Sequence, residues 1–249
     1  MADLTGKRAL IWGGGSGIGL GCAQAMRHAG AKVAIASRSI KRLEEASAKL
    51  GHCPYAAGDA TVEDEVRRAT ATTAAALGGI DILLISSGCG GPTPAGATSL
   101  AEVRRILDGN LLPVFLCTDA ALPHLLERGG SVIAISSMYG LVGQYERLAY
   151  CAAKSGVIGM VRSMALDLAE RGVRVNALCP GFIETELSRE VVAKEPDPEA
   201  VLAFRRSMHP IKRAGSTDDV ASAALWLASD GASWVTGQAI PVDGGYTIR

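Results

Sequence analysis

Two rhythms of apolar and polar positions alternate along this 249-residue chain. Short, largely apolar runs occur at Arg8 to Trp12, Lys32 to Ala36, Pro54 to Ala57, Asp81 to Ile85, Ser131 to Ser136, Val173 to Leu178 and Ala239 to Val242. Their length and flanking turn residues predict strands, several of them buried on both faces. Between them lie longer stretches in which apolar residues recur every three or four positions, the period of an amphipathic helix. Helices are predicted from Leu20 to His28, stopped by Gly30, and from Ser39 to Leu50, capped by Ser39 or Ser37 with charges on the outer face. Another opens at Thr61 and carries Glu63, Asp64 and Glu65 in its first turn, where the helix dipole favours acids. Longer ones run from Ser99 to Leu126, interrupted around Pro113, and from Arg147 to Glu170, and a last one from Thr217 to Ser229.

Strands that alternate with helices build a doubly wound parallel sheet, α/β in class, with about seven strands and helices on both faces. Such sheets bind ligands beyond the carboxyl ends of their strands. No linker, repeat or shift of composition divides the chain, so one Rossmann-type domain over 1–249 is expected.

Two short stretches carry chemistry. Gly13, Gly17 and Gly19 fall between the first strand and the first helix, spaced G-x-x-x-G-x-G. Glycines there let the backbone approach a pyrophosphate, and the helix start offers free N–H groups. Further on, Tyr150 and Lys154 stand four residues apart on one face of a predicted helix. A phenol ordinarily loses its proton near pH ~10, and a neighbouring ammonium favours the phenolate. The pair reads as a proton-transfer device.

Composition narrows the field. Lys plus Arg and Asp plus Glu balance at 25 each, so no global charge points to nucleic acid or a membrane surface. The six cysteines and four histidines show no ligand spacing, so neither a metal site nor a disulfide framework is expected. No signal-peptide pattern and no apolar run long enough to cross a bilayer stand out. A cytoplasmic protein with reduced thiols is expected.

With those residues in order, the sequence resembles the short-chain dehydrogenase/reductase family, in its compact single-domain branch, over nearly its whole length. Gly13, Gly17 and Gly19 match the glycine signature, and Asp59 the acid that accepts from the adenine amino group. Asn110, Ser137, Tyr150 and Lys154 match the family tetrad. Pro180-Gly181 with Thr185 matches the loop that holds the nicotinamide carboxamide, and Val235-Thr236-Gly237 and Val242-Asp243-Gly244-Gly245 match the C-terminal segment. The resemblance implies an oxidoreductase in which Tyr150 moves the proton and Lys154 lowers the phenol's pKa and holds the nicotinamide ribose. Ser137 would donate to the substrate oxygen, and Asn110 would hold a water that links Lys154 to solvent. The nucleotide would lie along Gly13, Gly15, Ser16, Gly17, Ile18, Gly19, Ser37, Arg38, Asp59, Ala60, Ser87, Gly88, Asn110, Tyr150, Lys154, Pro180, Gly181, Ile183 and Thr185.

The chain also departs from the family pattern. Trp12 replaces the usual threonine before the first glycine, and Ile85-Ser86-Ser87-Gly88 replaces Asn-Asn-Ala-Gly. An indole is expected to fill space where a polar contact stood, close to the nucleotide. NAD-preferring proteins place an acid at the end of the second strand; here Ser37 and Arg38 stand there, and a guanidinium pairs with a 2′-phosphate. NADP(H) is therefore expected over NAD(H). The expected substrate is a small carbonyl compound or secondary alcohol, with a lid at 186–210 and Tyr139, Leu141, Val142 and Tyr145 expected to select it. Arg205 and Arg206 are candidates for an anionic substrate, but neighbours on a helix do not share a face. Two other readings stay open: a reductase of a conjugated enoyl substrate and a non-catalytic NADP-binding regulator. A homotetramer or dimer is implied by resemblance, joined through the helices at 99–127 and 147–170.

Overall fold

The apolar runs become seven strands: β1 (Arg8–Trp12), β2 (Lys32–Ser37), β3 (Tyr55–Ala57), β4 (Ile82–Ile85), β5 (Gly130–Ile135), β6 (Val173–Pro180) and β7 (Ala239–Val242). In the computed structural model of the protein they form one sheet in the order β3-β2-β1-β4-β5-β6-β7, each neighbouring pair parallel. Residues 2–248 are described, without the side chain of Leu187; Met1 and Arg249, the ends of the expected domain, lie outside the described residues.

The described residues form eight α-helices: α1 (Gly17–His28), α2 (Ile40–Lys49), α3 (Glu63–Leu77), α4 (Leu100–Arg128), α5 (Leu148–Leu168), α6 (Glu186–Val192), α7 (Pro198–Ser207) and α8 (Thr217–Ala228), of which α1 to α5 and α8 pack on the sheet. Successive strand residues face opposite layers. Leu10 and Trp12 of β1 join the cluster under α3, α4 and α5, while Ala9 and Ile11 join the cluster under α1, α2 and α8. Leu83 and Leu84 divide the same way, and each fully buried leucine stabilises the fold by roughly 2 kcal/mol. A strand sandwiched between two helix layers must be apolar at every position, which is why the runs do not alternate.

Several element ends shift by a residue or two, and three differences from expectation stand out. The first helix begins at Gly17 rather than Leu20, so Gly17, Ile18 and Gly19 form its opening turn. β6 continues to Pro180. The helix expected to break around Pro113 runs unbroken from Leu100 to Arg128 through Pro113 and Pro123. Each proline forfeits one helical hydrogen bond, but Pro113, Val114, Cys117, Ala121 and Leu125 are buried along this helix, and that packing overrides the local preference. By length and composition α4 is also apolar enough to cross a bilayer, a run the sequence reading did not identify. Its buried side packs into the helical layer beneath the sheet.

Candidate active site

The order of the sheet reverses between β1 and β4, and the crevice beyond such a switch point is where nucleotides are held. Gly13 leaves β1 with φ 80°. A side chain there would lie 2.8 Å from the Ser86 carbonyl carbon, and Ser86 N–H donates to the Trp12 carbonyl at 2.8 Å. The loop after β4, with Ser87 and Gly88, therefore packs directly on the glycine turn. Ser16 is the N-cap of α1 and makes no side-chain cap, so the first N–H groups of the helix keep their donors for something else. These features fit a dinucleotide pyrophosphate. Beside the turn opens a cleft of about 290 Å³ that reaches Gly15, Ser16, Gly17, Arg42, Thr185 and Arg189 but not Tyr150 or Lys154.

At the end of β2, a side chain built on Gly15 would begin 3.0 Å from the Ser37 hydroxyl oxygen and 3.4 Å from Arg42 Cβ. Arg42, which the sequence placed among outer-face charges, is thus a second cation near this turn. Arg38 Nη1 lies 3.8 Å from Asp59 Oδ2. Burial opposes ionisation of Asp59, but the N–H and hydroxyl of Thr61 and the Arg38 charge outweigh it and hold the carboxyl below its usual range. Ala60 follows, buried.

Ser137, Tyr150 and Lys154 meet where β5 and α5 converge. The Ser137 hydroxyl lies beside the Tyr150 phenol, where it favours the ionised form, and accepts from Tyr139 N–H at 3.2 Å. Lys154 is only 5% exposed; its Nζ donates to the Ile135 carbonyl at 2.9 Å and sits 5.7 Å from the Tyr150 ring centroid. Burial pushes the Tyr150 phenol up, and Ser137 and Arg147 oppose the rise. Burial also pushes the Lys154 ammonium down to about 8. Spacing along a helix shows proximity; it does not show how much water either group loses.

Lys154 yields a test. Its folded pKa lies below its unfolded one, so between about pH 8 and about pH 10.4 the unfolded chain holds more protons than the native protein. Stability contributed by this group rises with pH across that window, by about 1 kcal/mol per pH unit. Urea unfolding of the ligand-free protein at pH 8, 9 and 10 is expected to show a steeper rise for wild type than for Lys154→Met. Parallel slopes would show that the amine is not desolvated as described.

Asn110, in α4, is buried, and its Nδ2 donates to the carbonyls of Cys89 at 2.8 Å and Ile106 at 2.7 Å. Its Oδ1 has no partner among the described residues. A side chain on Gly88 would lie 2.7 Å from that oxygen and 3.4 Å from Lys154 Nζ. A glycine thus keeps open the space between an orphaned acceptor and the ammonium, which suits a bridging water. Pro180 and Gly181 end β6, and Gly181 N–H donates to the Val242 carbonyl. Ile183 is buried, and Thr185 packs toward Gly17 while its hydroxyl accepts from Ser188 N–H at 3.1 Å to cap α6. That cap uses a lone pair and leaves the hydroxyl proton for donation.

Sequence reasoning missed two anchors. Ser136 donates to the Lys154 carbonyl at 2.9 Å and fixes α5 on the end of β5. The buried Thr93 accepts from Ala149 N–H at 3.1 Å and ties the loop after β4 to the start of α5. Neither carries a motif, because each works through a contact remote in sequence. Trp12 is fully buried, its ring reaching toward the position of a Gly58 side chain at 3.4 Å, and its indole N–H has no partner among the described residues.

Comparison with known proteins agrees with this geometry. The enoyl-(acyl carrier protein) reductase family model matches residues 13–247. The chain is 36% identical to L-fucose dehydrogenase of Bos taurus over 98% of its length and 90% of the relative's. It is also 36% identical to 2,5-dichloro-2,5-cyclohexadiene-1,4-diol dehydrogenase of Sphingobium indicum over 99% of both chains. A crystal structure of an actinorhodin polyketide ketoreductase with NADPH superimposes with a TM-score of 0.93 at 29% identity, over all of both chains. The chain belongs to the short-chain dehydrogenase/reductase family. It is an NAD(P)-dependent oxidoreductase acting on CH–OH or C=O groups.

Proposed function

We propose that this dehydrogenase/reductase interconverts a secondary alcohol on a ring and its ketone, prefers NADP(H), and uses Tyr150 as acid and base. The observation that carries the reading is the convergence of the Ser137 hydroxyl, the Tyr150 phenol and the buried Lys154 ammonium at one sheet end. The nicotinamide supplies or accepts the hydride when bound. Ser137 donates to the substrate oxygen as charge develops on it. Tyr150 gives that oxygen a proton in reduction and removes one in oxidation. Lys154 would hold the nicotinamide ribose and, with Asn110 and a bridging water, would replace the proton from solvent. The ring preference rests on relatives named for a sugar and a cyclohexadienediol. A panel of cyclic alcohols and ketones with both nucleotides, read by absorbance of the reduced nicotinamide, tests it; no turnover of any member would favour a non-catalytic role.

For NADP(H), the support is local. No acid ends β2, and Arg38 and Arg42 both stand near Ser37, with Arg38 beside Asp59. A kcat/KM for NADPH at least about tenfold above that for NADH is expected, falling with Arg38→Ala as a charge-assisted pair is lost. A preference for NADH would overturn this part.

The segment at 186–210 folds as α6 and α7 and is proposed as the substrate lid. Leu112 and Phe115 on α4, and Leu148 and Leu166 on α5, are exposed large apolar residues, with Leu166 82% exposed. We assign this face to contact between copies of the chain. Light scattering is expected to give a dimer or tetramer, and Phe115→Glu with Leu166→Glu a smaller species. A wild-type monomer at micromolar concentration would refute the assignment.

A further inference from the structure

Two arginines close to the reacting end of the site are unused by the proposed chemistry. Arg147 is the N-cap of α5, three residues before Tyr150 and so on a neighbouring part of the same turn. The backbone around it is held: Thr93 N–H donates to the Glu146 carbonyl at 2.7 Å, and Leu148 N–H donates to the Thr93 carbonyl at 3.3 Å. Arg205 arrives from the other side on α7, with its guanidinium carbon 5.1 Å from the centroid of the Phe182 ring, one residue beyond Gly181. Both arginines are half-buried.

The ambiguity between Arg205 and Arg206 is resolved by their partners. Arg206 donates to Glu184 at 2.6 Å, and Arg189 approaches the same carboxylate at 3.5 Å. Asp243 is occupied by the Thr247 hydroxyl at 2.7 Å and Gly245 N–H at 2.9 Å. Among the described residues neither Arg147 nor Arg205 has a carboxylate within ion-pair distance. Tyr139, two residues beyond Ser137, feels both. Burial and the neighbouring Tyr246 push its phenol up to about 12, and the charges of Arg147 and Arg205 pull it the other way. Arg147 acts on the Tyr150 phenol as well. Tyr246 closes this corner edge-on to Tyr139, centroids 6.2 Å apart.

Two half-buried guanidiniums without a carboxylate partner among the described residues, one at the start of the helix that carries Tyr150 and one stacked on Phe182 beside Gly181, flank the reacting end of the site and suit an anion. We propose that the substrate carries an acidic group, a carboxylate or a sulfonate, held between Arg147 and Arg205. This rests on the alcohol–ketone reading and adds the feature that selects among such substrates. Each guanidinium offers paired donors to the oxygens of the acid, and fixing that end sets the distance from the carbinol to Tyr150.

The test compares 4-hydroxycyclohexanecarboxylate, 4-hydroxycyclohexanesulfonate and the uncharged 4-hydroxycyclohexanecarboxamide on the full-length enzyme with NADP⁺. At least one acid is expected to exceed the amide in kcat/KM by about 30-fold or more, chiefly through KM. The better acid identifies carboxylate or sulfonate. Arg147→Met and Arg205→Met are each expected to reduce the preference below about fivefold, and Arg205→Lys to keep part of it. Equal rates on acids and amide, or variants that depress all three alike, would overturn the proposal while leaving the oxidoreductase reading in place. If no alcohol turns over, that reading fails instead, and calorimetry of cyclohexanecarboxylate, cyclohexanesulfonate and cyclohexanecarboxamide on the nucleotide-loaded protein decides the anion site. Binding of an acid that Arg205→Met abolishes supports it; acids no tighter than the amide refute it.

Discussion

Tyr150→Phe is expected to fold, to bind nucleotide as wild type does, and to turn over cyclic alcohols at least about 10³-fold more slowly. The substitution removes one oxygen and keeps the ring, which packs beside Ile106, Ala149 and Ala153. At most one hydrogen bond to Ser137 is lost with it, about 1 kcal/mol in stability, too little to unfold the chain. In the proposed mechanism, what disappears is the proton that must reach or leave the substrate oxygen. A kcat within tenfold of wild type, with nucleotide affinity unchanged, would remove Tyr150 from the mechanism.

The direction of the pKa shift adds a second reading of the same variant. Burial keeps the phenol protonated at neutral pH in the ligand-free protein. The acid form, which serves ketone reduction, is therefore the resident one. Alcohol oxidation needs the phenolate, whose population grows as pH rises, so wild-type oxidation should climb with pH while reduction does not. Residual activity of Tyr150→Phe should lose that climb. Lys154, already lowered to about 8, is the group able to exchange protons near neutrality behind the phenol.

Much of this was legible in the sequence, and the reason is physical. Strands buried on both faces leave continuous apolar runs, and a tight strand-to-helix turn demands glycine whatever surrounds it. The spacing of Tyr150 and Lys154 follows from helix geometry alone. The parts that were not legible depend on contacts remote in sequence or on burial. Whether α4 breaks at Pro113 is decided by what packs against it. Which of Arg205 and Arg206 is free is decided by Glu184, more than twenty residues earlier. The relative acidities of Tyr150 and Lys154 follow from how deeply each is buried. Ser136 and Thr93 look like any other small polar residues until the strand ends and the helix start are placed side by side.

Gly19→Ala is expected to weaken nucleotide binding at least about 100-fold and to destabilise the fold by about 1–3 kcal/mol. Gly19 lies in the opening turn of α1, and a Cβ there would overlap the Gly13 carbonyl oxygen and stand 2.8 Å from the carbonyl carbon. Both atoms are backbone, so no flexible side chain can give way. The helix start must back off from the turn, or the turn must open, and either motion displaces the N–H groups that would face a pyrophosphate. Gly17 provides the comparison. Its φ of 53° is costly for alanine by about 1–2 kcal/mol, yet the space around it is open, with only the Thr185 side chain near, at 3.5 Å. If close approach rather than backbone conformation shapes this turn, Gly19→Ala loses more nucleotide affinity than Gly17→Ala when the two are titrated side by side. The reverse order would mean that conformational freedom at Gly17, rather than contact between Gly13 and Gly19, holds the binding surface together.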